Sequence, residues 1–131
     1  MKPKDLLTVW GAPDNSRVTS KQFSFRLPVH VAARIAALCE MYPGRSRTQI
    51  VGDLLSAALD EVELQFPEVK GPFVIRDDER GVDLYEEVGP GSRYRGLANK
   101  HFRELELELG TENPPALFEG SLVIDEPIED Q

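Results

Sequence analysis

Between Val29 and Gln65 two amphipathic patterns flank a Pro-Gly stop and a capping signal, and this arrangement constrains the fold more than any other feature. Val31, Ile35, Leu38 and Tyr42 recur at spacings of 4, 3 and 4, which predicts a helix with one apolar stripe. Ala32, Ala33, Ala36 and Ala37 add helix propensity. Pro43-Gly44 ends this helix. Ser46-Arg47-Thr48-Gln49 has the form of a capping box, in which the serine oxygen accepts from the third amide and the glutamine reaches back. A second helix follows to about Gln65, with Ile50, Leu54, Ala58 and Val51, Leu55, Val62 as a wide apolar face, and Pro67 closes it.

Ahead of the helices, Gln22-Phe23-Ser24-Phe25-Arg26-Leu27 alternates polar and apolar, the period of a half-buried strand, and Pro28 ends it. One strand cannot stand alone in water, and two short helices cannot cover both its faces. The expected partner is the same strand of a second copy, related by a two-fold axis. Phe23, Phe25 and Leu27 then face the helices, and Gln22, Ser24 and Arg26 face outward. A two-stranded ribbon fits the major groove of B-DNA, where arginine suits guanine, glutamine suits adenine, and serine serves several bases.

These residues, together with Gly44-Arg45-Ser46-Arg47-Thr48-Gln49-Ile50, resemble the ribbon-helix-helix DNA-binding proteins of the Arc/MetJ type over residues 20–66, about a third of the chain. The resemblance implies that Gln22, Ser24 and Arg26 touch bases. It also implies that the start of the second helix, Ser46 to Thr48, clamps a backbone phosphate. Exposed amides and a positive dipole end make an anion site there, and Arg45 and Arg47 add charge. Cations at a helix start are unfavourable unless an anion compensates them. Pro43 before the turn glycine and Gly52 within the second helix depart from the family pattern.

The net charge of −8 over 131 residues is unusual for a DNA binder, but it hides a split. Residues 1–50 hold eight cationic residues against three acidic ones, a balance of +5; the remainder hold seven against twenty, −13. Opposite charge in the two halves suggests two different tasks. Residues 1–19 read as an N-terminal arm, with a turn-rich stretch at 11–16. Residues 67–131 read as an acidic C-terminal region of unknown fold, partly strand. Phe73-Val74-Ile75 and Val82 to Val88 are strand candidates joined by Asp77 to Gly81, Gly89-Pro90-Gly91 reads as loop, and Leu122-Val123-Ile124 is a short strand. Residues 97–109 fit either helix or strand, and Asp125 to Gln131 reads as a frayed acidic tail.

The remaining features favour structure over chemistry. Cys39, the single cysteine, lies beside the apolar stripe and reads as a small core residue. His30 and His101 are isolated, so no metal site is expected. Residues 89–96 lack the Gly-Lys-Ser/Thr ending of a phosphate loop and read as a turn, with Arg93-Tyr94-Arg95 the only basic cluster of the acidic half. The pairs Asp77/Asp78 and Glu86/Glu87 have no nucleophile or histidine beside them, so no catalytic residue, enzyme activity or cofactor is expected. No apolar run reaches membrane-spanning length, and residues 1–5 lack a secretion-type apolar stretch, which predicts a cytoplasmic protein.

The reading is therefore a mostly helical ribbon-helix-helix homodimer that regulates transcription from double-stranded DNA, with pairing into tetramers left open. An antitoxin, whose acidic C-terminal region sequesters a toxin, is the alternative. A dimeric protein-interaction adaptor without DNA binding is the third.

Overall fold

The computed structural model describes residues 17–119 and 123–128. The chain divides between Gln65 and Phe66 into two compact units. Residues 1–16, most of the expected N-terminal arm, lie outside the described residues, as do Leu122 of the expected short strand and 129–131 of the acidic tail.

In the first unit, helix α1 spans Val29–Met41 and helix α2 spans Arg47–Gln65. Pro28 precedes α1, and its carbonyl accepts from the Val31 and Ala32 amides at 3.0 Å each. The helix stops where the Tyr42 amide bonds back to Leu38 and the Arg45 amide to Tyr42, a turn that Pro43-Gly44 permits. The core is small. Ile50 is 0 % exposed and Ala57 2 %, with Leu38, Cys39, Tyr42 and Leu54 packed around them. On α2 the buried stripe runs Ile50, Asp53, Ala57, spacings of 3 and 4. Ala58 and Leu55, read from the sequence as core-facing, are exposed.

The structure differs from the expected ribbon-helix-helix fold. Residues 22–27 form no strand, and the described residues build three helices and one three-stranded antiparallel sheet, a mixed α/β arrangement. Alternation decides which side each residue favours, but a strand exists only where a ladder of hydrogen bonds meets a neighbour. Nothing in the first unit supplies that neighbour among the described residues. The sheet comes from the acidic half.

In the second unit, β1 spans Lys70–Asp77, β2 Val82–Glu87, α3 Pro90–Glu108 and β3 Val123–Pro127, with sheet order β1-β2-β3. Asp77 Oδ1 accepts the Arg80 amide at 3.2 Å, and Gly81 takes φ +69°, closing the β1–β2 turn. Pairing passes from Phe73↔Tyr85 to Ile75↔Leu84, so Val74 is the extra residue of a bulge. The segment Asp125 to Pro127, expected to fray, is instead the end of β3, held by Arg80–Asp125 and Lys70–Glu126 ion pairs. Arg76 grips Asp83 through two nitrogens at 2.8 and 3.3 Å, and these hydrogen bonds hold the Asp83 carboxyl below its ordinary pKa and raise that of Arg76. A hydrogen bond to Glu126 likewise raises the Lys70 ammonium. Exposed pairs of this kind fix register more than they stabilise.

The expected loop at Gly89-Pro90-Gly91 is the start of α3. Proline suits a first turn, since its absent N–H had no acceptor there. The alternating leucines resolve in favour of the helix: Leu105 and Leu109, four apart, are half-buried, while Leu107 between them is exposed. The Tyr94 ring packs at a tilt against those of Phe66 (5.1 Å between centres) and Phe118 (6.0 Å). Asn99 pairs with the Phe118 backbone in both directions, accepting its N–H at 2.8 Å and donating to its carbonyl at 3.1 Å. No helix among the described residues is long and apolar enough to cross a membrane.

Candidate nucleic-acid interface

The capping box forms as its spacing requires. The Gln49 amide donates to Ser46 Oγ at 3.1 Å, and the Ser46 amide donates to Gln49 Oε1 at 2.8 Å. With Gln49 satisfied by the cap and Ile50 bonded to the Ser46 carbonyl, the Arg47 and Thr48 amides are first-turn donors with no intrahelical acceptor. The first turn of α2 carries no acid. Ser46, Arg47 and Thr48 are all exposed, so two amides, two hydroxyls and a guanidinium sit at the positive end of a 19-residue helix. That set suits a phosphate group.

Replacing Ser46 by alanine removes one half of the box. The expected cost is about 1 kcal/mol of stability, read from chemical denaturation of the full chain, with Ser46→Asp restoring most of it.

Arg45 is placed differently from its neighbours: it is 7 % exposed, and with Asp53, also 7 %, it is one of the two buried charged residues described. Its guanidinium is therefore not presented at the surface beside Arg47. Gln22, Ser24 and Arg26 are exposed on a segment without regular secondary structure. Phe23, Phe25 and Leu27, which alternate with them, are exposed too, Phe25 by 75 %. Lys21 lies over the Phe23 ring at 5.7 Å, next to Gln22. Lys21, one residue before the alternating segment, is a further exposed cation beside it. Asp53 falls on the buried stripe because it stands three residues after Ile50, a spacing visible in the sequence.

The other sequence candidates resolve into structural roles. Cys39 packs at the core of the helical pair. His30 Nδ1 lies 3.1 Å from the Arg34 guanidinium, and His101 lies 3.6 Å from Glu104. Glu87 Oε1 accepts the Val69 and Gly89 amides at 3.1 and 3.0 Å, so that carboxylate holds backbone. Arg93, Tyr94 and Arg95 belong to the first turns of α3 and not to a phosphate loop, and Arg95 stands 5.6 Å from the Phe118 ring centre. No cluster of His, Cys, Asp and Glu among the described residues could hold a metal ion.

Comparison with protein-family models, with curated proteins and with solved structures finds no match to this chain.

Proposed function

We propose that the chain is a homodimeric DNA-binding regulator whose first unit holds the duplex. The observation that carries this reading is a run of exposed cations within an acidic protein. From Asn15 to Gly52 the sequence holds six cations against one acid, Glu40. Of these cations Arg17, Lys21, Arg26, Arg34 and Arg47 are exposed. Arg26 and Arg47 make no ion pair among the described residues. Exposed cations of one sign attract a phosphate backbone by releasing its counterions, whatever the net charge of the whole chain.

In this reading Arg47, Ser46 and Thr48 hold a phosphate, and Gln22, Ser24 and Arg26 meet base edges. Burial supports the dimer. Among the described hydrophobic residues of the first unit only Ile50 and Ala57 are buried, while Phe23, Phe25, Leu27, Val29, Leu55, Leu59 and Val62 are exposed. An apolar surface of that extent marks an interface, and a second copy carries the matching surface by symmetry.

Selection of bound sequences from a random duplex library, with the full-length protein, tests both parts. Enrichment of a motif with two-fold symmetry is expected, together with a thermal midpoint that rises with protein concentration. A monomer that retains no duplex even at low salt would refute the proposal, and a dimer that retains none would identify an adaptor.

A further inference from the structure

The sheet and α3 of the second unit leave an open cleft of about 760 Å³ between them. It crosses all three strands, from Val74 on β1 past Glu86 on β2 to Val123 on β3. Glu86 and Val123 are register partners, and Val74, at the bulge, lines the same cleft. Neighbouring strands lie about 4.8 Å apart, so the crossing is about 10 Å wide, enough for one polypeptide segment. Leu117 and Phe118 form the apolar wall, with Phe118 fixed by Asn99. Val74, Leu117 and Val123 remain exposed there, which leaves apolar surface open to a partner.

The charges of the cleft differ from those of the rest of the sheet. Elsewhere Asp77, Asp83, Asp125 and Glu126 each have a cationic partner. Glu86 and Glu119 at the cleft have neither an ion pair nor a hydrogen bond among the described residues. The lining carries three carboxylates, Glu87 being the third, against the one guanidinium of Arg95. Residues 66–131 as a whole hold sixteen acids against seven cations.

We propose that this cleft docks a basic amphipathic segment of a partner protein, its apolar side chains against Val74, Leu117 and Phe118 and its lysines or arginines against Glu86 and Glu119. An apolar floor with unpaired carboxylates at its rim is complementary to that chemistry: the floor supplies affinity, and the rim selects sign and orientation. The inference is independent of the DNA-binding reading, because every residue it uses lies in the second unit.

The test uses the full-length chain and two labelled synthetic peptides, one alternating lysine and leucine, the other glutamate and leucine, followed by fluorescence anisotropy. The lysine peptide binds and the glutamate peptide does not. Glu86→Gln with Glu119→Gln weakens binding about five- to tenfold, as loss of two rim pairs requires. Glu79→Gln with Glu112→Gln, the same charge change at exposed sites outside the lining, changes it less than twofold. Amide shifts on titration centre on Val74, Leu117 and Val123, and the same spectra show that each variant is folded. Equal weakening by both double variants would reduce the effect to diffuse attraction and overturn the proposal. So would shifts confined to residues 17–65, or cleft shifts produced by raising protein concentration without peptide, which would make a second copy the occupant.

Discussion

Ile50→Ala should cost the first unit about 2–5 kcal/mol, the loss expected when a fully buried aliphatic side chain is truncated and its cavity does not collapse. Ile50 is 0 % exposed, and the one other buried hydrophobic residue among those described there, Ala57, is too small to fill the space. Leu38, Cys39, Tyr42 and Leu54 lose their common neighbour at once. For a unit of this size each kcal/mol shifts the midpoint by about 4–8 °C, so the helical signal should melt about 8–40 °C earlier. Thermal circular dichroism of Ile50→Ala beside Ile50→Val checks this, the valine variant losing only about 1 kcal/mol. A shift of a few degrees for the alanine variant would mean that the apolar surface around Leu55 and Leu59, and not Ile50, carries the stability.

The second large effect separates reading from holding. On the proposed interface, Arg26→Ala should cost about 1–3 kcal/mol on the selected sequence and relax preference at one base pair per half-site. Arg47→Ala should weaken binding to all duplexes alike. It should also flatten the dependence of log affinity on log salt by about 0.9 for each phosphate no longer neutralised, one from each protomer. Titrations of both variants against selected and scrambled duplexes at several salt concentrations distinguish the two. If Arg26→Ala leaves sequence preference intact, the segment 22–27 is not the reader.

Local signals in the sequence proved readable, and pairings between distant residues did not. The α1 stripe, the stop at Pro43-Gly44 and the box at Ser46 to Gln49 depend on residues three or four apart, and each appears in the structure. The β1–β2 hairpin was legible for the same reason, with a turn glycine between two short apolar runs. At residues 22–27 the alternation was real, but it specifies sides and not partners, and no ladder forms. At Asp125 to Pro127 the reverse occurred: a run that looked like a solvated tail is ordered by Lys70 and Arg80, more than forty residues away. Leu105, Leu107 and Leu109 satisfied two periods at once, and only burial chose between them. At the candidate interface the capping residues and cations could be named from the sequence. That Arg45 is buried and Arg47 exposed could not, since it depends on how the turn packs against the helices.

The two-way pairing of Asn99 with Phe118 makes a side chain act as one rung of a ladder. A primary amide carries a donor and an acceptor on the same carbon, so Asn99→Asp would satisfy one half at most and Asn99→Leu neither. The residues after α3 therefore do not behave thermodynamically as a loop. Freeing the Phe118 backbone means breaking two hydrogen bonds to α3 together, and it also takes the Phe118 ring away from Tyr94 and Arg95. One wall of the cleft thus opens and closes with the helix it is tied to, and any molecule seated there shares the cooperativity of that helix.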